Sequence, residues 1–262
     1  MIKKVKEIFE YKEMLKSLVR KDLRTRYKGS FLGFLWTFLN PLMQLLVYSL
    51  IFPHLVKVET KSYAMFLFVV LLPWGYFSGT LLGSCNCILA NANLVTKIYF
   101  PRHILPLSNA LAGLCNLFLA YVIVFPMLII FGVPFTLNLL WLPLFFLVEA
   151  VMCMGFAMLI SAINVYFRDL EHILSIFLMA LYFSTPIMYG LDRLSGDKLA
   201  TNIMLLNPMA GMSELFRGAA YNMDAHALNL GLLIYPVCFA VAIFFIGFLA
   251  FDKMQRNFAE IL

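Results

Sequence analysis

Residues 104–131 read ILPLSNALAGLCNLFLAYVIVFPMLIIF, without one charged side chain. As an α-helix, this run is longer than the about 20 residues that cross the ~30 Å hydrocarbon core of a bilayer. Five other runs in the chain are comparably apolar and reach about the same length. The six predicted spans lie near residues 31–55, 63–85, 104–131, 137–165, 173–190 and 229–250.

These spans are predicted to be helices, because an isolated strand cannot satisfy its backbone hydrogen bonds in lipid. The ten-residue alternation of polar and apolar side chains that marks a membrane β-barrel is absent. The predicted fold class is therefore all-α, a polytopic membrane protein with six transmembrane helices.

The composition agrees with a membrane protein. Of the 262 residues, 63% are hydrophobic and 13% charged, whereas soluble domains have about 45–50% and about 25%. A soluble enzyme, a disordered chain and a secreted disulfide scaffold are excluded.

The five cysteines are odd in number and lie in or beside apolar runs, so we expect small buried side chains without disulfides or metal.

The positive charge is concentrated at the amino terminus. Residues 1–30 hold ten of the twenty Lys and Arg residues, which is typical of a cytoplasmic membrane flank and not of a nucleic-acid site. Six spans place both termini on one side, where fifteen Lys and Arg lie against five on the other. Both termini are therefore predicted to be cytoplasmic.

Residues 1–30 also have helical periodicity. Ile8, Tyr11, Leu15, Leu18 and Val19 recur on one face, and lysines and arginines fill the other. This pattern predicts an amphipathic helix lying flat on the inner membrane surface. A solvated charged leader is the alternative.

Two features inside the spans invite an interpretation. Gly75, Gly79 and Gly83 follow at four-residue intervals, which predicts a groove where another helix approaches closely.

Glu149 is the only acidic residue within a span. It is either a functional group or a carboxyl group hydrogen-bonded to a neighbouring helix, through Gln44 or Asn116.

Motifs for enzymatic chemistry are absent from the sequence. We find no G-x-x-x-x-G-K-[ST], G-x-G-x-x-G, H-E-x-x-H or G-x-S-x-G, and the four histidines show no metal-ligand spacing. No catalytic residue, cofactor site or metal site is predicted, and the chain contains no energy source of its own.

Several short motifs are arranged in a characteristic order. They are RYK (26–28), GFLW (33–36), NLVTKIYFPRHILPL (93–107), NVYFRDL (164–170), TPIMY (185–189) and NPM (207–209). Together they resemble the ABC-2 type permease of bacterial polysaccharide exporters, which moves lipid-linked O-antigen, capsule and teichoic-acid chains. The resemblance covers about residues 20–255. His103 departs from it, since many members have an acidic residue there.

The resemblance implies a half-transporter of the bacterial inner membrane. Two copies would assemble with two ATPase subunits, which bind the ATP and magnesium, and the substrate would be a lipid-linked polysaccharide. The implied layout is an interface helix at 1–30 and a transmembrane domain at 31–262. Within that domain, a cytoplasmic coupling segment spans 86–103 and an outer gate of re-entrant helices spans 190–228, bent at Asn207 and Pro208.

The resemblance also points to residues for coupling. Lys97, Tyr99 and Arg102 in the coupling segment would meet the ATPase or the lipid pyrophosphate. Arg168 and Asp169 would lie on the same membrane face, and either join this contact or fix the turn after the fourth span.

Aromatic side chains could line a path for sugars, whose apolar C–H faces stack on aromatic rings. The alternative is that these rings face lipid, pack between helices or form the interfacial belt. The channel candidates are Trp36, Phe38, Tyr48, Trp74, Tyr76, Phe77, Tyr182, Phe183 and Tyr189.

The leading hypothesis is thus an ATP-driven exporter of a lipid-linked glycan, with this chain as its permease. One alternative is a multispan glycosyl- or acyltransferase, for which Glu149, His103 and His172 are isolated candidates. Another is an ABC-2 exporter of a small lipid or drug.

Overall fold

A computed structural model of the chain describes residues 6–7, 10–25, 31–55, 62–191, 198–221 and 227–261. In these ranges the regular secondary structure is helical and no strand occurs. The α-helices are α1 (Lys12–Thr25), α2 (Trp36–Leu55), α3 (Tyr63–Asn86), α4 (Ala92–Lys97), α5 (Ile104–Ile130), α6 (Leu142–Tyr166), α7 (Leu170–Ser184), α8 (Lys198–Leu205), α9 (Pro208–Ala220), α10 (Ile234–Met254) and α11 (Phe258–Ile261).

In the described part of the chain, four helical segments are long and apolar enough to cross a membrane. They are Tyr63–Asn86, Ile104–Ile130, Leu137–Tyr166 and Leu230–Asn257, the last two including short 3-10 turns. The first three coincide with predicted spans to within one residue at each end, and the fourth extends seven residues beyond the predicted end at residue 250. The prediction of an all-α polytopic protein is confirmed, and the chain is an integral membrane protein. Two further apolar helices, Trp36–Ile51 within α2 and α7, are shorter.

The predicted span at 173–190 differs from the structure at its end. Helix α7 stops at Ser184, and the backbone of Thr185 is extended, with φ −95° and ψ 137°. The cause is Pro186, whose ring disfavours the helical conformation for the residue before it. The 15 residues of α7 rise only about 22 Å as a helix.

Helices α6 and α10 pack with their backbones in direct contact. A Cβ atom added to Gly247 would lie 2.1 Å from the carbonyl oxygen of Gly155, and one added to Gly155 would lie 2.6 Å from the backbone nitrogen of Phe244. The two backbones therefore touch, as small residues allow in membrane helices.

Of the three glycines in the predicted groove on α3, only Gly83 is closely packed against another helix of this chain. A Cβ atom on Gly83 would lie 2.9 Å from the Asn109 side chain of α5, whereas Gly75 and Gly79 have nothing within 4 Å of that position. No helix of this chain packs against Gly75 or Gly79 in the part that the structure describes, and both face a cleft.

Helix α1 is present within the predicted amphipathic segment, and it packs along α5. Its Leu18 is buried in a cluster with Val95, Phe100 and Ile104. The Lys21 ammonium group donates a hydrogen bond to the side-chain oxygen of Asn91, at 2.8 Å. The apolar face of α1 therefore contacts protein, and α1 and α4 lie at one end of the helix bundle.

Candidate functional site

A polar cleft opens between α2, α3 and α5. Its main chamber has a volume of about 350 Å³, and a second chamber of about 380 Å³ shares Asn40 and Gln44 and continues along α2 to Tyr48. We call the two chambers together the α2 cleft. The polar side chains that line it are Thr37, Asn40, Gln44, Tyr48, Tyr76, Thr80 and Asn116.

Several of these polar groups are buried without a hydrogen-bond partner among the described residues. They are the hydroxyl groups of Thr37 and Thr80 and both amide atoms of Asn116. Thr37 is 5% exposed and Thr80 is 2% exposed. Because buried polar groups in proteins are nearly always hydrogen-bonded, these side chains are suited to bind a polar molecule in the cleft.

Glycines give the cleft its width. Gly75 and Gly79 lie one helical turn apart on α3 and line the main chamber, where they leave room that side chains would otherwise fill. Gly113 on α5 has a different role, because a Cβ atom there would lie 2.9 Å from both the Tyr76 ring and the Thr80 hydroxyl. Its missing side chain lets α3 and α5 approach at the floor of the cleft.

The structure brings together four of the nine predicted aromatic channel residues. Trp36, Trp74 and Tyr76 line the main chamber, and Tyr48 lines the second. Trp74 also contacts the Tyr182 ring, at 5.6 Å between centroids. Its indole therefore joins the cleft to α7.

The remaining aromatic candidates lie elsewhere. Phe77 is buried and packs edge-on against Phe156 of α6, at 5.9 Å. Phe183 is 64% exposed on α7, and the Tyr189 hydroxyl donates a hydrogen bond to its carbonyl oxygen, at 3.2 Å. Phe38 is half-buried and outside the lining of both chambers.

Glu149 on α6 is fully buried behind the cleft, close enough to Tyr76 and Tyr121 for an electrostatic interaction. Neither carboxyl oxygen has a hydrogen-bond partner among the described residues. The predicted hydrogen bond to Gln44 or Asn116 is therefore wrong. A functional role for Glu149 stays a prediction.

The coupling residues predicted in 86–103 divide into two kinds. Lys97 ends α4 and is exposed, and Tyr99 is 85% exposed. Arg102 instead donates a hydrogen bond to the backbone oxygen of Gln255, so it ties the segment to the end of α10. A cavity of about 290 Å³ lies between the coupling segment and the end of α10, and Tyr99, Arg102 and Asp252 are among the residues that line it.

Arg168 and Asp169 are both exposed in the turn between α6 and α7. Asp169 occupies the position before the first residue of α7, but its side chain makes no capping hydrogen bond. Its backbone oxygen accepts hydrogen bonds from the amides of His172 and Ile173, at 3.1 and 3.2 Å. Among the described residues, neither the Arg168 nor the Asp169 side chain makes a hydrogen bond that would fix this turn.

At the opposite end of the bundle, Asn207 caps the amino-terminal end of α9. Its side-chain oxygen accepts a hydrogen bond from the Met209 amide at 3.0 Å, and its amide group donates one to the Thr185 hydroxyl at 2.8 Å. Pro208 occupies the first turn of α9, where a proline costs no helical hydrogen bond. Asn207 thus connects α9 to the turn that ends α7.

Arg217 of α9 is a functional candidate that sequence reasoning missed. It is fully buried, pairs with Glu214 at 2.6 Å, and donates hydrogen bonds to the carbonyl oxygens of Pro186 and Ile187 at 2.8 and 3.0 Å. The Tyr63 hydroxyl donates one to the next carbonyl, Met188, at 2.7 Å. These bonds satisfy the non-helical backbone after α7. The sequence did contain a signal for this site, because Glu214 and Arg217 lie three residues apart in an otherwise apolar segment.

Comparison with known proteins places these features in a family. The model of the ABC-2 type transporter family matches residues 13–221. The O-antigen export system permease protein RfbA of Myxococcus xanthus is 33% identical over 265 residues, covering 99% of both chains. An RfbA of Klebsiella pneumoniae is 31% identical over 95% of both, and the polysialic acid transport protein KpsM of Escherichia coli is 28% identical over 90% of this chain and 91% of its own.

The matched region begins in α1 and ends after α9, so it includes the α2 cleft, α4 and Arg217. The relatives extend the similarity over nearly the whole chain. The resemblance drawn from the short motifs is therefore confirmed, and the chain belongs to the ABC-2 type transporter family.

Proposed function

We propose that this chain is the permease subunit of an ATP-driven exporter that moves a lipid-linked polysaccharide across the bacterial inner membrane. The observation that carries the proposal is the α2 cleft, in which buried hydroxyl and amide groups without partners lie beside aromatic rings. A sugar offers hydroxyl groups to the former and C–H faces to the latter. The relatives named as O-antigen export and polysialic acid transport proteins support a polysaccharide, of whatever charge, as the substrate.

The proposed topology has six spans, with α2 and α7 as the first and fifth. The excess of Lys and Arg before α2 supports cytoplasmic termini. On this topology α4 lies at the cytoplasmic face, and α8 and α9 form outer gate helices that re-enter the membrane. Irregular backbone at that depth must be covered by protein, and the contacts of Arg217 and Tyr63 fulfil this requirement.

The proposed assembly contains two copies of this chain and two ATPase subunits. The exposed Lys97 and Tyr99 beside α4 would contact the ATPase, and the sequence lacks a P-loop of its own. One bundle of this size cannot enclose a pore wide enough for a sugar chain, so a dimer is physically sensible.

The membrane-enzyme alternative receives no support from the described residues. His103 lies between the rings of Phe248 and Phe251, at 4.7 and 4.6 Å, while Glu149 is buried in α6 and His172 is exposed on α7. A catalytic acid and base must lie within hydrogen-bond reach of the groups that exchange the proton. In the described structure, Glu149, His103 and His172 form no hydrogen bond with one another.

The proposal is tested by filling the cleft. Gly79→Leu places a large side chain where nothing lies within 4 Å of the Cβ position, so folding should be preserved while export of the glycan falls at least about tenfold through steric block. Gly79→Ala is the matched control, because one methyl group should leave most of the passage open. Surface glycan per folded transporter is the measurement. Normal export by Gly79→Leu would contradict the proposal.

A further inference from the structure

The described residues that line the α2 cleft carry no formal charge. Among the described residues that line its two chambers, the polar ones are Asn, Gln, Thr and Tyr, and the others are aromatic, aliphatic, Gly or Pro. No Lys, Arg, His, Asp or Glu occurs in this set. A passage for a charged chain would be expected to provide counter-charges, because an unpaired charge inside a membrane protein is costly.

The hydrogen-bonding groups of the cleft match a sugar hydroxyl. Each side-chain amide of Asn40, Gln44 and Asn116 both donates and accepts, and so does each hydroxyl of Thr37 and Thr80. A sugar hydroxyl also does both, so either partner can adapt to the other. A carboxylate only accepts and brings a full negative charge, which these groups do not neutralise.

Three charged residues of the bundle do not supply a counter-charge to the cleft. Glu149 lies behind Tyr76 on α6 and supplies no positive charge in either protonation state. Arg102, at the α4 end, is bonded to the Gln255 backbone, and Arg217, at the α9 end, is paired with Glu214. Neither arginine lines either chamber of the cleft.

We infer that the α2 cleft accepts uncharged sugar residues and discriminates against acidic ones, so the exported glycan is a neutral polymer. This inference rests on the proposed export function and specifies its substrate class. The lipid diphosphate carrier is a separate group and is the same for both kinds of glycan.

The test compares two substrates that differ at one carbon. The exporter with its ATPase partner is reconstituted in proteoliposomes. It is given polyprenyl-diphosphate-linked oligogalactose or oligogalacturonate of equal length, which differ only in a C6 hydroxymethyl or carboxylate group. ATP-dependent movement is read as protection from a membrane-impermeant periodate in the outer solution. We expect the neutral substrate to move at least about tenfold faster.

A charge placed in the cleft should shift this preference. Asn40 lines both chambers and is exposed, so Asn40→Lys should raise the rate for oligogalacturonate and narrow the ratio at least about threefold. Asn40→Gln is the matched control and should keep the ratio. Gln44→Lys, one helical turn along α2, provides a second variant if Asn40→Lys does not fold.

The outcomes separate the two proposals. Equal rates for both substrates in the unsubstituted exporter, or a ratio that neither lysine variant changes, would overturn the neutral-glycan inference and leave export intact. Failure of both substrates to move with ATP would contradict the export function itself and, with it, the inference.

Discussion

Gly155 and Gly247 join α6 to α10 with no side chain between the two backbones. Gly247→Ala would place a methyl group 2.1 Å from the Gly155 carbonyl oxygen, so the helices must separate. We expect a loss of about 1–3 kcal/mol in the free energy of unfolding, measured as a lowered melting temperature in detergent. Gly75→Ala, in open space, is the control and should melt like the unsubstituted protein. Equal melting of the two variants would show that α6 and α10 do not touch there.

Arg217 is a buried side chain that holds the backbone after α7 in place. Arg217→Met removes its pair with Glu214 and the donors to the Pro186 and Ile187 carbonyls. Because the Glu214 carboxylate loses its cationic partner and keeps only neutral donors such as the Leu191 amide, we expect a loss of about 3–5 kcal/mol in the free energy of unfolding.

The double variant Arg217→Met with Glu214→Leu separates the causes. It removes the uncompensated charge, so part of the lost stability should return, while the unsatisfied carbonyls keep it below the unsubstituted protein. Chemical denaturation in detergent measures all three proteins. A single variant as stable as the unsubstituted protein would refute the role of Arg217.

At the scale of elements, the segment of α4 and the turn after it holds two cations with different roles. Lys97 is exposed, whereas Arg102 holds the end of α10. Lys97→Glu should therefore weaken co-purification with the ATPase and reduce export without changing the melting temperature. Arg102→Glu should lower the melting temperature as well, because it breaks an internal hydrogen bond. Unchanged export by Lys97→Glu would argue against α4 as the contact with the ATPase.

The helices show how far a sequence predicts such a fold. Four spans were predictable because their apolar length leaves a soluble protein no way to cover them. The end of α7 was not placed correctly, although Pro186 carries the signal, because the apolar run continues past it. The open space beside Gly75 and Gly79 was not predicted, because glycines at four-residue intervals occur both in close helix packing and at open clefts. Only the positions of neighbouring helices distinguish Gly79 from Gly83.

At the scale of the whole molecule, polar and aromatic residues on α2, α3 and α5 converge within a bundle that is apolar outside. Trp36, Tyr76 and Asn116 come from three helices, so only the tertiary structure shows that they share one site. Together with the family, this convergence leads to the central claim that the glycan passes through the α2 cleft.

Photo-crosslinking during export tests that claim most directly. A photoreactive amino acid replaces Gln44 in the cleft or, as the control, Val122, which is 59% exposed on α5 outside the cleft lining. Cells or proteoliposomes are irradiated while ATP-driven export proceeds, and adducts are detected with a reagent for the glycan. The account predicts glycan adducts at position 44 that require ATP and are absent at position 122. Active export with no adduct at position 44, or with equal adducts at both positions, would contradict it.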